Sequence, residues 1–372
     1  MISRIEIKIL FALAFRYFNL LSSYYIDKIL PKPFELHFEA TYRCNCRCVF
    51  CKRWKEGLKE NLRKKELKYN EIKELINQAY DIGVRILSLS GGEPLMKEGI
   101  LSLMEYAKNK GLITSVNTNG TLINKENVSK IIDCFDIIIV SIDSLNGDKQ
   151  DAIRGFKDSF KKALNSVFLL KKNSKNNFIG VSTVLNGENI NEILEINAFF
   201  MKKGIPTFFQ PIHNNPANLF NVSKKEYLDF GLRLEEEYKK IIKNYIYPNR
   251  LIKYLYKDYY RKGLDFIMNP MSTINQFVCF AGLYSLFVDP YGDVFPCDIC
   301  RCWMGNIREK SLREILMSRR SLHIKRQIKN RKCNCWLLCS APVFINLSKV
   351  LNKNNLRSNK FVCPHSKSME NR

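Results

Sequence analysis

Thr41-Tyr42-Arg43-Cys44-Asn45-Cys46-Arg47-Cys48-Val49-Phe50-Cys51 follows a stretch with strand character and sets three cysteines, Cys44, Cys48 and Cys51, at the spacing C-x3-C-x2-C. Thiolates so placed on one loop suit an iron–sulfur cluster. A four-iron cluster held by three of them keeps one iron open to a small molecule, whereas four would close the site. Zinc is the competing reading, with Cys46 completing a tetrahedral set. The chain downstream favours the cluster.

About forty residues on, Arg85-Ile86-Leu87-Ser88-Leu89-Ser90-Gly91-Gly92-Glu93-Pro94 is a short apolar strand ending in two glycines, a carboxylate and a proline. Glycines at a strand end let backbone approach a ligand, and the carboxyl ends of parallel strands are where such sheets place their sites. Asn117-Thr118-Asn119-Gly120 ends a third strand-like run, Ser141-Ile142-Asp143 a fourth, and Arg154-Gly155 comes after it. In this order and at these distances, the cysteine and Gly-Gly-Glu-Pro motifs resemble those of the radical S-adenosylmethionine (SAM) enzymes, over about residues 34–212.

That resemblance implies roles. Cys44, Cys48 and Cys51 would ligate a 4Fe-4S cluster, and Phe50 would flank the adenine of SAM. The methionine amino and carboxylate groups would chelate the fourth iron, with Gly91, Gly92 and Glu93 receiving the amino group. Asn117, Ser141, Asp143 and Arg154 stand among the cofactor-binding positions, the last three where the family contacts ribose and carboxylate. Cys46, off the spacing, is expected not to ligate. A reduced cluster in this family passes an electron to the sulfonium, and the resulting 5′-deoxyadenosyl radical takes a hydrogen atom from substrate. A low-potential donor such as ferredoxin or flavodoxin is implied.

The body of the chain alternates strand and helix patterns. Strands are predicted near 35–40, 85–89, 113–117, 136–142, 178–185 and 207–212, and helices near 70–82, 97–110, 124–133, 159–172 and 189–203. Six βα units predict an α/β fold with a partial (β/α)6 TIM-like barrel, its site at the carboxyl ends of the strands. By that logic Gln210 and His213, at the end of the sixth strand, are the candidates for touching substrate.

Four segments are expected: an N-terminal amphipathic helical segment at 1–32, the core barrel at 33–215, a helical bridge at 216–278, and a small cysteine-rich module at 279–372. In the first, Ile9, Leu13, Tyr17, Leu20 and Tyr24 recur at helical spacing, but Lys8 and Arg16 interrupt any run long enough to span a bilayer. Packing against the barrel and peripheral contact with anionic membrane are the two readings of that helix. In the last, Ser285 to Cys297 reads as a hairpin with a Pro/Gly turn, between Cys279 and the cluster Cys333-Asn334-Cys335-Trp336-Leu337-Leu338-Cys339. The layout resembles the SPASM or twitch extension that holds auxiliary iron–sulfur clusters in many radical SAM enzymes. The spacings are shorter than the full SPASM pattern, which implies one auxiliary cluster held by Cys279, Cys297, Cys339 and either Cys335 or Cys333. Cys300, Cys302 and Cys363 are substitutes, zinc is again the alternative, and Cys134 reads as a buried thiol.

With 13 cysteines among 372 residues, an odd number and no recognisable signal peptide, a secreted disulfide scaffold is not expected; a reducing, cytoplasmic setting is. The net charge of +24 suits an anionic substrate or surface. Its basic run through Lys52, Arg53, Lys55, Lys59, Arg63, Lys64, Lys65 and Lys68 is placed to rim the site. An RNA-modifying or nucleic-acid-binding iron–sulfur protein is the alternative class, but no RNA-binding module is recognisable and nucleic acid is not the expected partner. The substrate, whether peptide, sugar or lipid-linked, is not legible.

Overall fold

The structure, a computed structural model, describes residues 31–211 apart from 175 and 187, residues 279–298 and 301–329, and a few isolated positions between 22 and 259. Apart from those isolated positions, the expected N-terminal helix and the 216–278 bridge lie outside the described residues. So do His213, Cys300, Cys333, Cys335, Cys339 and Cys363.

Six parallel strands form the barrel wall: β1 (Glu35–Thr41), β2 (Ile86–Gly91), β3 (Ile113–Thr118), β4 (Ile137–Ser141), β5 (Phe178–Leu185) and β6 (Thr207–Pro211). Each pair of neighbours is joined through helix. Short helices α1 (Arg53–Gly57) and α2 (Glu60–Arg63) precede α3 (Tyr69–Asp81), and α4 (Ile100–Asn109) follows β2 after a 3-10 turn at Pro94–Met96. Next come α5 (Val128–Cys134), α6 (Gly147–Arg154), α7 (Ser159–Asn173) and α8 (Ile193–Met201). All six predicted strands and five predicted helices are present within a few residues. The predicted helix at 97–110 begins three residues late, because the chain first makes the 3-10 turn and then crosses Gly99 in the left-handed region at φ 71°. Helix α6 was not foreseen, although Asn146 caps it, its Oδ1 accepting the Lys149 N–H at 3.0 Å, and Gly155 ends it at φ 56°.

Side-chain alternation divides the sheet into two faces. Leu36, Phe38 and Ala40 of β1, Leu87 and Leu89 of β2 and Val116 of β3 are buried in one core with Ile72, Leu75, Ile76 and Ala79, the apolar stripe of α3. The opposite face carries polar residues in register. His37 lies beside Ser88, which lies beside Ser115, while Glu39 pairs with Ser90. With the apolar packing of these strands directed toward the helices, the polar residues of the other face are left to build a site.

The C-terminal hairpin joins the same sheet. β7 (Ser285–Val288) runs parallel to β1 with Glu35 opposite Ser285 and Phe38 opposite Val288. β8 (Asp293–Phe295) and β9 (Gly305–Asn306) continue antiparallel, so the order is β6-β5-β4-β3-β2-β1-β7-β8-β9. The turn between β7 and β8 closes because Asp289 Oδ1 accepts the N–H groups of Tyr291 and Asp293 at 2.9 and 3.0 Å, with Gly292 at φ 85°. Helix α9 (Leu312–Met317) begins with a reciprocal Ser311–Glu314 cap and docks on α3, the Leu312 N–H donating to Gln78 Oε1 at 2.9 Å. Helix α10 (Arg319–Lys329) completes the described chain. Leu67 N–H donates to Pro290 O at 2.7 Å, tying the barrel to the hairpin turn.

Because β7 extends the barrel sheet, the two parts should unfold together. Leu286, fully buried on β7, replaced by Ala is expected to cost about 2–5 kcal/mol. Urea denaturation followed by far-UV circular dichroism and by tryptophan fluorescence should give coincident transitions that shift together.

Candidate active site

The cysteine loop leaves β1 at Thr41 and is pinned on both sides by main chain. On one side Gly92 N–H donates to Thr41 O at 2.7 Å and Glu93 N–H to Arg43 O at 2.8 Å. The approach is close enough that a Cβ on Gly92 would stand 2.2 Å from Arg43 O, and one on Gly91, at φ 116°, 2.5 Å from Thr41 O. On the other side Arg47 and Val49 donate to the carbonyls of Arg154 and Ile153 at 2.8 and 3.0 Å, at the end of α6. Gly155 is needed there twice, for its φ of 56° and because a Cβ would meet Arg47 O at 2.5 Å.

Glu93 lies behind the glycines, fully buried. Its carboxylate accepts from Thr118 Oγ1 at 2.8 Å, from the Asn119 N–H at 2.8 Å and from the Leu95 N–H at 3.2 Å. Burial raises its pKa, and those hydrogen bonds oppose the rise. Asp143 is likewise fully buried. Its Oδ1 accepts the Val184 N–H at 2.8 Å and its Oδ2 pairs with Arg154 Nη2 at 2.7 Å. Burial pushes this carboxyl up too, and Arg154 pulls it back. Arg154 stacks over Phe50 at 5.7 Å and lies 3.8 Å from Cys48 Sγ. Burial, with smaller contributions from Cys51, Asp143 and Cys44, pushes the Cys48 thiol up to about 12 against the pull of this guanidinium.

These elements enclose a cavity of about 160 Å³. Of the predicted residues, Cys44, Cys48, Cys51, Phe50, Gly91, Gly92, Asn117, Ser141 and Arg154 all line it. Glu93 and Asp143 stand behind its wall, and Gln210, half-buried on β6, is not part of it. The expected bystander Cys46 does line it, as do Arg53, Trp54, Ser90, Thr118 and Asn119, which motif reading did not select. Asn119 had a signal in its own Asn-Gly turn, where its amide donates to Asn45 Oδ1 at 2.8 Å. Arg53 was legible only as one cation of the basic run expected to rim the site. It is 7% exposed and ion-paired, whereas Arg63, Lys64 and Lys68 line a separate cavity of about 690 Å³ with Arg43 and Lys97.

In the C-terminal region Cys279 and Cys297 are half-buried and Cys302 is buried. Cys297 adjoins Asp298, which reaches back to the barrel and accepts from Arg53 Nη2 at 2.8 Å.

Residues 38–200 match the radical SAM superfamily, and residues 279–339 match the SPASM iron-sulfur cluster-binding domain. The chain belongs to the radical SAM superfamily. An AdoMet-dependent heme synthase of Methanosarcina barkeri is 28% identical over 76% of this chain and 82% of that protein. The subtilosin biosynthesis protein AlbA of Bacillus subtilis is 26% identical over 77% of this chain and 60% of its own length. Among solved structures, Streptococcus suis SuiB bound to the precursor peptide SuiA shares the fold, with TM-score 0.59 at 16% identity over 83% of this chain and 70% of that one.

As a radical SAM enzyme with a SPASM domain, the protein uses a 4Fe-4S cluster, SAM and an auxiliary iron–sulfur cluster. The residues present suit the first two. Cys44, Cys48 and Cys51, with Cys46, share one cavity with Arg154, whose Nε is buried with no hydrogen-bond partner among the described residues, and with Trp54, whose Nε1 is in the same state. A buried guanidinium with a donor to spare fits an anionic carboxylate. Among the described residues no helix is long and apolar enough to cross a membrane.

Gly92→Ala and Gly155→Ala should each displace the cysteine loop. The expected cost is about 1–3 kcal/mol of stability by urea denaturation, from overpacking against backbone that cannot yield, with reduced iron retention after anaerobic reconstitution. Gly147→Ala, where the nearest atom to the new Cβ is a Phe160 ring carbon at 3.5 Å, is the control and should behave as the native protein.

Proposed function

We propose that this enzyme holds its SAM-binding cluster through Cys44, Cys48 and Cys51 and removes a hydrogen atom from a peptide substrate, aided by an auxiliary cluster held in part by Cys279 and Cys297. The observation that carries the reading is the common cavity of the three cysteines with Phe50, Arg154 and the Gly91-Gly92 backbone. When bound, the reduced cluster supplies an electron to SAM, and SAM supplies the radical that takes the hydrogen atom.

The chain's own residues bind and orient. Arg154 offers its unpaired Nε to the methionine carboxylate while Asp143 fixes the guanidinium plane. Phe50 presents a ring for the adenine, and Asn117 and Ser141, on the open polar face of the barrel, meet the ribose. The carbonyls of Gly91 and Gly92 accept from the amino group. Glu93, behind the wall, supports this acceptor set indirectly, its carboxylate holding the Thr118–Asn119 turn beside the glycines. Gln210 and His213 are the substrate-side candidates, and a donor such as ferredoxin or flavodoxin supplies the electron.

A peptide substrate is supported by the relatives, which include a bacteriocin biosynthesis protein and a structural neighbour bound to a precursor peptide. A tetrapyrrole is the second reading, favoured by the heme synthase and by an Fe-coproporphyrin III synthase of Methanosarcina barkeri, 31% identical over 45% of this chain and 40% of that protein. Titration of the reconstituted enzyme with Fe-coproporphyrin III separates them, since a saturable shift of the porphyrin absorption band would replace the peptide reading.

Replacing Cys44, Cys48 or Cys51 with Ala is expected to abolish 5′-deoxyadenosine formation from SAM and dithionite, measured by chromatography, while Cys46→Ala keeps most of it. Equal loss for Cys46→Ala would overturn the ligand assignment. The triple Cys44/Cys48/Cys51→Ala variant should still bind about four irons at the auxiliary site.

A further inference from the structure

Two carboxylates and two guanidiniums form a closed ring between the cysteine loop of the barrel and the cysteine loop of the C-terminal region. Arg53 Nε meets Glu39 Oε1 at 2.6 Å and Arg53 Nη2 meets Asp298 Oδ1 at 2.8 Å. Arg301 Nη2 meets Glu39 Oε2 at 3.0 Å and Asp298 Oδ1 at 3.2 Å. Tyr42 extends the ring, donating its hydroxyl to Glu39 Oε2 at 2.8 Å and lying under Arg53 at 5.1 Å. The side chains of Arg53, Arg301 and Glu39 are under a tenth exposed, and Arg301 is further sheathed by the rings of Phe287 and Phe295 at 4.9 and 5.2 Å.

Placement gives the ring its meaning. Arg53 is two residues beyond Cys51 and lines the cluster cavity, while Asp298 is the residue after Cys297 and Arg301 the residue before Cys302. Structure alone would be served by apolar packing, which holds two elements together without the cost of burying the charges of Arg53, Arg301 and Glu39; Asp298, the fourth, is 32% exposed. Charges in so poorly solvated a place act strongly on any neighbouring charge.

We propose that Arg53 and Asp298, braced by Glu39 and Arg301, are positioning residues that set the reduction potentials of the two clusters jointly. The inference rests on the cluster assignment of the preceding section. A guanidinium beside the active-site loop favours the more negative, reduced cluster and so raises its potential. A carboxylate beside Cys297 does the opposite for the auxiliary cluster, and by neutralising Arg53 it also reaches the active-site cluster across the ring.

The test is an EPR-monitored redox titration of the anaerobically reconstituted full-length enzyme, the active-site signal being identified by its change on adding SAM. Arg53→Gln is expected to shift the active-site potential down. Asp298→Asn is expected to shift it up, although Asp298 belongs to the other loop, and to raise the auxiliary potential with it. Arg53→Lys keeps the charge without the two-pronged geometry, so the potential should return toward native while the thermal midpoint stays lowered. If Arg53→Gln takes up no iron, Asp298→Asn and Arg53→Lys carry the same test. A SAM-sensitive signal whose potential does not move in Asp298→Asn overturns the coupling alone. A native protein with no SAM-sensitive signal overturns the cluster assignment and the coupling with it.

Discussion

Everything at this site depends on how closely backbone can approach backbone around the cysteine loop. Four main-chain hydrogen bonds, from Gly92, Glu93, Arg47 and Val49, hold the loop between the end of β2 and the end of α6. They form only because Gly91, Gly92 and Gly155 present no Cβ to the carbonyls of Thr41, Arg43 and Arg47. The loop so held carries four thiols, Cys44, Cys46, Cys48 and Cys51, and its backbone fixes how they are spaced. Glycine here exchanges chain entropy for a fixed spacing of the cysteines.

The division of the sheet into an apolar outer face and a polar inner face does the rest. Leu36, Phe38 and Ala40 anchor β1 to the helices, so the alternate residues Glu35, His37 and Glu39 are free to be charged or polar. Glu39 then gathers Arg53, Arg301 and Tyr42. Removing one partner from such a buried set typically costs about 3–5 kcal/mol, because the remaining charge is stranded. The same carboxylate that would be a liability in an ordinary core thus becomes the junction between the barrel and the C-terminal hairpin. Its position is as constrained as that of the cysteines.

The comparisons and the geometry separate two kinds of information. The cluster and SAM chemistry belongs to the superfamily, and the residues proposed to carry it stand at the carboxyl ends of β1 to β4 and in the segments that follow them. What is acted on is decided elsewhere. The relatives named for heme synthesis and for bacteriocin biosynthesis match this chain at similar identity, 28% and 26%, so overall likeness does not separate their substrates. The basic cavity of about 690 Å³ beside Arg43 and Lys97 shares no residue with the cluster cavity, so the positive charge is divided between surfaces with different neighbours.

The amino-acid sequence by itself determined the strands and most helices, because two-residue and 3.6-residue periodicities are local. It also determined the cysteine spacing, the Gly-Gly-Glu-Pro turn and the parallel barrel that follows from six repeated units. Nine of the residues these motifs singled out line the cavity, since each lies at the carboxyl end of a strand or in the segment that follows one. Tertiary structure alone decided that β7 pairs with β1, a contact between residues about 250 positions apart that no local pattern encodes. It alone turned Arg53 out of a basic run and into a buried ring, because the carboxylates that neutralise it, Glu39 and Asp298, come from opposite ends of the chain. And it alone set Glu93 and Asp143 behind the cavity wall rather than in it, since burial depends on which strands and turns close over a side chain and not on the residue's own neighbours in sequence.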